Sequence, residues 1–182
     1  MTETLKVIEE RSSIRAFTDE MLTAEEIHSL VKAGLQAPTA ANRQELHFTV
    51  LDKNGETLGE LADAFKQLVL SDKNAPDWAA MSTFHHDAPV VIVISGDKNS
   101  TWDGIDSGIA VENIALAAQS MGLGNFIIGC LRKLFESEQG EKWEKKLFPD
   151  NYRFNVAIAV GHPDTSKAPH EYDENALVTY LK

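Results

Sequence analysis

The 182-residue chain has little basic charge, a single cysteine and no long apolar run. Its 17 lysines and arginines stand against 28 aspartates and glutamates, which gives a formal net charge of −11. Nucleic-acid binding depends on basic surface, so DNA and RNA are not expected partners. Because Cys130 is the only cysteine, the chain cannot form an internal disulfide or a multi-cysteine metal site.

The apolar residues set further limits. No window approaches the ~18 consecutive apolar residues that a membrane span needs, and the start MTETLKVIEE does not resemble a signal peptide. We therefore expect a soluble protein of the reducing cytoplasm, with no membrane partner. With 43% hydrophobic and 25% charged residues, the sequence predicts a single globular domain over residues 1–182.

Apolar spacing in the first half predicts alternating helices and strands. Thr23 and Glu26 form a capping box, which predicts that the second helix of the chain starts at this point. The other predicted elements are a short helix marked by Leu5 and Ile8, a strand over residues 46–52, a helix over 56–70 and a polar loop over 71–88 beside the substrate pocket.

The second half shows the same alternation. Pro89 precedes VVIVIS, a β-branched run typical of a strand that is buried on both faces. The remaining predicted elements are a helix from Asp103 to Met121 that ends at a glycine cap, a buried strand after it, a helix over 136–147 and a strand over 154–160.

The segment RSSIRAF gathers polar donors between two helical patterns. Arg11 and Arg15 carry forked cationic donors that match phosphate oxygens or an electron-rich carbonyl, and Ser12 and Ser13 add hydroxyl donors. Such a cluster suits a bound phosphate. The alternative is that both arginines complement a helix dipole at its C-terminus and stay in water.

A second loop, QAPTAANRQ, also has features of a binding site. Pro38, Thr39 and Ala40 have little bulk, so the backbone there can approach a flat ring closely. Asn42 and Gln44 both donate and accept hydrogen bonds, which suits the mixed edge of a heterocycle. The alternative for each residue alone is a polar turn.

Four segments in order, RSSIRAFTDE, APTAANRQELHF, DSGIAVENIALAAQSMGLGNFIIG and VAIAVGHPD, resemble the FMN-dependent nitroreductase superfamily as far as about residue 163. The resemblance implies an α+β fold: a three-layer α/β/α sandwich with a central, mainly antiparallel mixed sheet, in an intertwined homodimer. It also implies an enzyme that passes electrons from NADH or NADPH through FMN to nitroaromatics, quinones or related acceptors.

The resemblance assigns roles to the residues above. Arg15 would lie at the N1 and C2 carbonyl end of the flavin, and Arg11 nearer the FMN phosphate. Ser12 and Ser13 would support the phosphate or the ribityl chain, and the small loop from Pro38 to Gln44 would contact the ring. Ile128 and Gly129 would approach N5, with the Gly129 amide as donor to N5.

The chain departs from the family pattern at three places. Many relatives have an acidic residue at the position of Ile128, and the isoleucine makes this pocket less polar. Glu45 and Leu46 stand where relatives often have proline and tryptophan. After the last strand, members often place a lysine or arginine on the phosphate. Here the candidates are Lys167, His170 and Tyr172, and we assign the contact to His170; the alternative is a surface histidine in a polar tail.

The tail over residues 164–182 ends in ALVTYL, which has strand character but no evident partner within the chain. The resemblance implies that this tail crosses the dimer. We therefore predict a swapped strand near residues 177–181, and place the helix from Asp103 to Met121 at the subunit interface.

No general acid or base is evident in the sequence. The proposed chemistry does not require one, since hydride can pass directly between nicotinamide and flavin. We expect ping-pong turnover in one pocket. Two alternatives remain: a flavoprotein of the same fold with another oxidation chemistry, or a non-catalytic FMN-binding sensor. No metal is expected, because the histidines show no ligand spacing, and Cys130 is assigned to the core.

Overall fold

The structure is a computed structural model that describes residues 1–71 and 83–181. Its elements in chain order are α1 (Glu3–Glu10), α2 (Ala24–Leu35), a 3-10 turn (Ala40–Asn42), β1 (Leu46–Asp52), α3 (Glu56–Ser71), β2 (Val90–Asp97), α4 (Asp103–Ser120), β3 (Gly124–Ile128), α5 (Arg132–Phe135), α6 (Gly140–Leu147), β4 (Tyr152–Gly161) and α7 (Glu174–Leu177). Most of the predicted loop over 71–88 lies outside the described residues.

The sheet has the order β1-β2-β4-β3, and every neighbouring pair is antiparallel. Val90 to Ile94 of β2 have no exposed surface, which confirms the prediction of a strand buried on both faces. The parallel pairing that we expected of a mixed sheet is limited, among the described residues, to one isolated bridge between Ser13 and Asn125.

Two apolar clusters cover the two faces of the sheet. On one face, Val91 and Val93 pack in a cluster with residues of α3, α5 and α6, including Trp143. On the other face, Ile92 and Ile94 share a cluster with residues of α2 and α4. The side chains of β2 alternate between these clusters, as the two-residue period of a strand requires. The predicted α+β three-layer sandwich is therefore confirmed.

Both predicted helix signals are present. Thr23 Oγ1 accepts a hydrogen bond from the Glu26 amide at 3.2 Å, and the Glu26 carboxylate accepts one from the Thr23 amide at 2.7 Å. After α4, Gly122 has a φ of +74°, and the Leu123 amide donates to the Ala118 carbonyl at 2.9 Å. This is a Schellman cap, for which glycine is the favoured residue.

The predicted helix over 136–147 starts four residues too early. The Ser137 hydroxyl donates to the Leu134 carbonyl at 2.7 Å and accepts from the Gln139 amide at 3.2 Å. These local bonds hold residues 136–139 in turns, because a serine side chain competes with the helical backbone pattern. The helix α6 therefore begins at Gly140.

The tail after residue 164 is exposed and contains only α7, a four-residue helix capped by Asp173. Leu177 ends that helix, and residues 178–181 have no regular secondary structure within this chain. Strand formation there would need pairing outside the chain, so the swapped strand stays a prediction. None of the helices described here is long and apolar enough to cross a membrane.

Gly140 tests the packing of α6. A Cβ at this position would collide with the Phe135 carbonyl, which is backbone and cannot move aside cheaply. We expect Gly140→Ala to lower the free energy of unfolding by about 1–3 kcal/mol. Gly59→Ala in α3 is the matched control, because a Cβ there meets nothing within 4 Å and should stabilise the helix by up to about 1 kcal/mol. Urea unfolding of both variants measures the difference, and equal stabilities would contradict the prediction.

Candidate active site

The segment after α1 lies along β3, at the edge of the sheet. Ser13 pairs with Asn125, and the Ile14 amide donates to the Asn125 carbonyl at 2.9 Å. Further along, the Thr18 amide donates to the His162 carbonyl at 2.9 Å. The cluster RSSIRAF is therefore fixed to the sheet from Ser13 onward. The alternative of two arginines at a helix end applies to Arg11 alone, which is the C-cap of α1.

Arg15 opens onto a cavity of about 420 Å³, which we call the Arg15 cavity. The predicted residues Arg15, Ile128 and Gly129 all line it, so the structure brings this part of the assigned set together. The Arg15 guanidinium lies 5.2 Å from the centre of the Phe126 ring. The other described residues that line it are Thr83, Phe84, His86, Ile127 and Cys130.

Gly129 faces open space. A Cβ built on this residue would meet no atom of residues 1–71 or 83–181 within 4 Å. None of the described residues therefore requires a small residue here, and the Gly129 backbone is accessible from the cavity. The contact of its amide with a flavin stays a prediction.

A second cavity of about 190 Å³ lies at the other end of β3, and we call it the Ser12 cavity. Ser12, Gly124 and Lys167 are among its lining residues, and the Ser12 hydroxyl donates to the Lys167 carbonyl at 2.8 Å. Arg11 lies 4.0 Å from the Glu112 carboxylate. Because the strand spans about 13 Å from Gly124 to Ile128, the two cavities suit opposite ends of an elongated ligand.

His170 does not line either cavity. Its side chain is exposed, and its ring lies 6.1 Å from that of Tyr172. Of the three candidates in the tail, Lys167 lines the Ser12 cavity instead, together with Thr165 and Ser166. The phosphate contact that we assigned to His170 stays a prediction, and within one chain Lys167 is the better placed of the two.

The loop from Pro38 to Gln44 lies elsewhere, on α4. Thr39 Oγ1 accepts from the Gln44 amide at 3.0 Å, and the Gln44 side chain donates to Asn42 Oδ1 at 3.1 Å. Thr39 and Gln44 line a recess of about 50 Å³, separate from the Arg15 cavity. In a single chain, the two predicted halves of the binding site are therefore apart.

Comparison with known proteins decides the family. The profile of the nitroreductase family matches residues 8–162. The chain belongs to the nitroreductase family. A crystal structure of a nitroreductase with bound FMN from Desulfitobacterium hafniense superposes with a TM-score of 0.91 at 33% identity, over all of both chains.

Curated family relatives are similar over most of the chain. The FMN reductase (NADPH) of Bacillus subtilis is 29% identical, over 90% of this chain and 67% of its own length. The NADPH-flavin oxidoreductase of Vibrio harveyi is 28% identical with the same coverages. The resemblance and the fold inferred from sequence are thereby confirmed.

Sequence reasoning missed Asp106, which fixes the loop of this nitroreductase-family chain to α4. The Ala40 amide donates to both carboxylate oxygens of Asp106 at 3.2 Å, and Asp106 is only 6% exposed. Ala41, Asn42 and Gln44 have positive φ values, a conformation that costs energy in non-glycine residues and needs such support. The one signal for this contact in the sequence was the presence of an acidic residue among the small residues of α4.

Four further side chains of the Arg15 cavity were also missed or misplaced. Phe84 and Phe126 give it aromatic walls, and His86, which contacts Phe126, also lines it. Burial raises the pKa of the Cys130 thiol, in keeping with the predicted inert residue, although Cys130 lines the cavity rather than lying wholly in the core. Within the described ranges, no group of side chains could hold a metal ion.

Proposed function

We propose that the chain is an FMN-dependent oxidoreductase that takes electrons from NADH or NADPH and passes them to nitroaromatics, quinones or related acceptors by a ping-pong mechanism. The family and the relatives confirm the coarser statement, an NAD(P)H-dependent flavin oxidoreductase with FMN as cofactor. The identity of the acceptor and the ping-pong order go beyond that statement and are proposed here.

One observation carries the proposal: Arg15 and the open backbone of Gly129 share one aromatic-walled cavity. Bound FMN would supply the two-electron chemistry, and these donors fit its ring. The guanidinium suits the carbonyl end, where negative charge grows on reduction, and the Gly129 amide suits a ring nitrogen. Phe126 and Ile128 exclude water from such a ring.

The Ser12 cavity fits the phosphate end. Lys167 lines this cavity, and its ammonium can donate to a phosphate, while Arg11 is held nearby by Glu112. A phosphate could compete with Glu112 for Arg11, because the 4.0 Å separation is longer than a hydrogen bond and a phosphate carries more negative charge than one carboxylate. These side chains bind and orient the cofactor, and none of them needs to transfer a proton.

We also propose a homodimer, which would complete the site. On α4, Ile105 and Ile109 are 57% and 37% exposed and lie one turn apart, next to Trp102, which is 50% exposed. On α1, Leu5 and Ile8 are similarly exposed. A second copy packed on this stripe would cover it and could bring its own loop from Pro38 to Gln44 to the Arg15 cavity.

Anaerobic titration of the FMN-loaded protein tests the proposal. We expect NADH or NADPH to bleach the flavin absorption, and an added quinone or nitroarene to restore it. A protein that binds no flavin would overturn the proposal. Bound flavin that stays oxidised would instead favour the sensor or a non-nicotinamide donor, and a sequential kinetic pattern would exclude ping-pong turnover.

A further inference from the structure

A further cavity of about 610 Å³ lies beside the Arg15 cavity, and no role has been assigned to it above. We call it the Arg132 cavity, after an arginine in its lining. We propose that it binds the diphosphate of the dinucleotide donor, with Arg132 as the contact, while the nicotinamide occupies the Arg15 cavity. This inference rests on the proposed function, because it concerns the electron donor of that reaction.

One turn of backbone separates the two cavities. Gly129 and Cys130 line the Arg15 cavity, and Arg132 lines the next one. The Arg132 amide donates to the Gly129 carbonyl at 3.2 Å, which closes this turn. Three residues span at most about 11 Å, and a dinucleotide separates its nicotinamide from its diphosphate by a single ribose. One donor molecule therefore suits both cavities at once.

Arg132 has donors to spare for a ligand. Its side chain is exposed, and it donates to the Asn155 carbonyl at 3.5 Å, which is long for a hydrogen bond. None of the ion pairs within residues 1–71 and 83–181 includes Arg132. A guanidinium carries five N–H donors in a planar fork that matches phosphate oxygens. Most of these donors are therefore available to an anion.

The other two cations in the described lining are held by carboxylates. Arg153 donates to Asp103 through Nε at 2.9 Å and through Nη2 at 2.8 Å. Lys98 donates to Glu144 at 2.6 Å. Each pair is neutral as a whole, so Arg132 is the cation of this lining that is left for an anionic ligand.

Two further features suit the nucleoside part of the donor. Glu136 also lines the cavity, and its carboxylate can accept hydrogen bonds from ribose hydroxyls. Phe135 and Phe154 stack with 4.7 Å between ring centroids and 5° between planes, and they give the cavity an aromatic wall. A nucleoside diphosphate uses a cation, a hydroxyl acceptor and aromatic surface together, whereas inorganic phosphate would use the cation alone.

Binding of ADP-ribose to the FMN-loaded protein tests the inference without turnover. This probe is the donor without its nicotinamide, and it keeps the diphosphate. We expect Arg132→Ala to raise its dissociation constant about tenfold in calorimetry, because an exposed charge-assisted hydrogen bond lies at the low end of its range. Arg132→Lys should recover part of the affinity, since it keeps the charge but loses the fork.

Lys133→Ala is the matched control. It removes the same charge from the next residue, which is also exposed but lies outside the lining of the Arg132 cavity. We expect the dissociation constant of ADP-ribose to stay at the parent value in this variant. A general loss of positive potential near α5 would instead weaken binding in both variants.

Anaerobic reduction by three donors tests whether the contact is with the diphosphate. NADH and NADPH carry this group, whereas 1-benzyl-1,4-dihydronicotinamide has the reacting ring and no phosphate. In Arg132→Ala, we expect the apparent dissociation constants of NADH and NADPH to rise alike by about tenfold. The rise should be much smaller with the benzyl compound.

A parent protein that does not bind ADP-ribose would overturn the inference, and so would equal affinities of the parent and Arg132→Ala or an equal loss in Lys133→Ala. A loss confined to NADPH would place Arg132 at the 2′-phosphate, and an equal loss with all three donors would indicate general damage; either contradicts the diphosphate contact. A parent that none of the three donors reduces would instead refute the proposed function, while ADP-ribose binding still decides the inference.

Discussion

Arg15→Ala is expected to weaken FMN binding about 10- to 100-fold and to make the bound flavin harder to reduce, because a charged hydrogen bond is worth about 1.5–3 kcal/mol. The guanidinium is the cation that lines the cavity beside Gly129. Its loss removes an attraction that grows as the ring gains negative charge, so the reduced state loses more than the oxidised one. Fluorescence titration with FMN and a potentiometric titration measure both effects.

Two variants control for this result. Cys130→Ala changes a neighbour in the same cavity without altering charge, and it should leave the affinity and the potential nearly unchanged. Arg15→Lys keeps the charge but loses the planar fork, so its potential should recover more than its affinity. Equal losses in Arg15→Ala and Cys130→Ala would contradict the assignment of Arg15.

If the chain forms the proposed homodimer, Ile109→Asp should convert it into monomers and abolish FMN binding at micromolar protein. Ile109 lies on the exposed stripe of α4, and a carboxylate buried against a second copy would cost several kcal/mol. Light scattering after size exclusion measures the mass, and absorption at the flavin bands measures the retained cofactor. A monomer that binds FMN with unchanged affinity would show that one chain suffices.

Leu70→Asp is the matched control for this prediction. Leu70 is 50% exposed on α3, in the helical layer across the sheet from α4. The same charge introduced there should leave the mass and the flavin content unchanged. Dissociation in both variants would point to general destabilisation rather than to loss of a specific interface.

Local patterns predicted those elements whose causes are local. The capping box at Thr23, the β-branched run of β2 and the glycine after α4 each act within a few residues, and all are present. The start of α6 was wrong because the Ser137 side chain competes with the helix over only four residues. The helix α5 was not predicted, because its four residues are too few to show the helical period of apolar residues.

The residues of the candidate site were predicted mainly from resemblance, and their roles stay predictions. The structure places two of them, Arg15 and Gly129, in one cavity. Asp106 and Lys167 could not be found this way. Their bonds to Ala40 and Ser12 join residues 66 and 155 positions apart, and no local spacing reports such contacts.

The strand order also determines at what stage of synthesis the candidate site can form. β2 and β3 share no ladder, and each pairs with β4 on its own side. Residues 152–161 form β4, which lies between β2 and β3, and both of those strands are synthesised earlier. β3 and the segment from Ser12 to Arg15 therefore cannot join the sheet until residues 152–161 are in place. During synthesis from the N-terminus, we therefore expect the lining of the Arg15 cavity to be completed late, and a cofactor to bind there only after nearly the whole chain has been released.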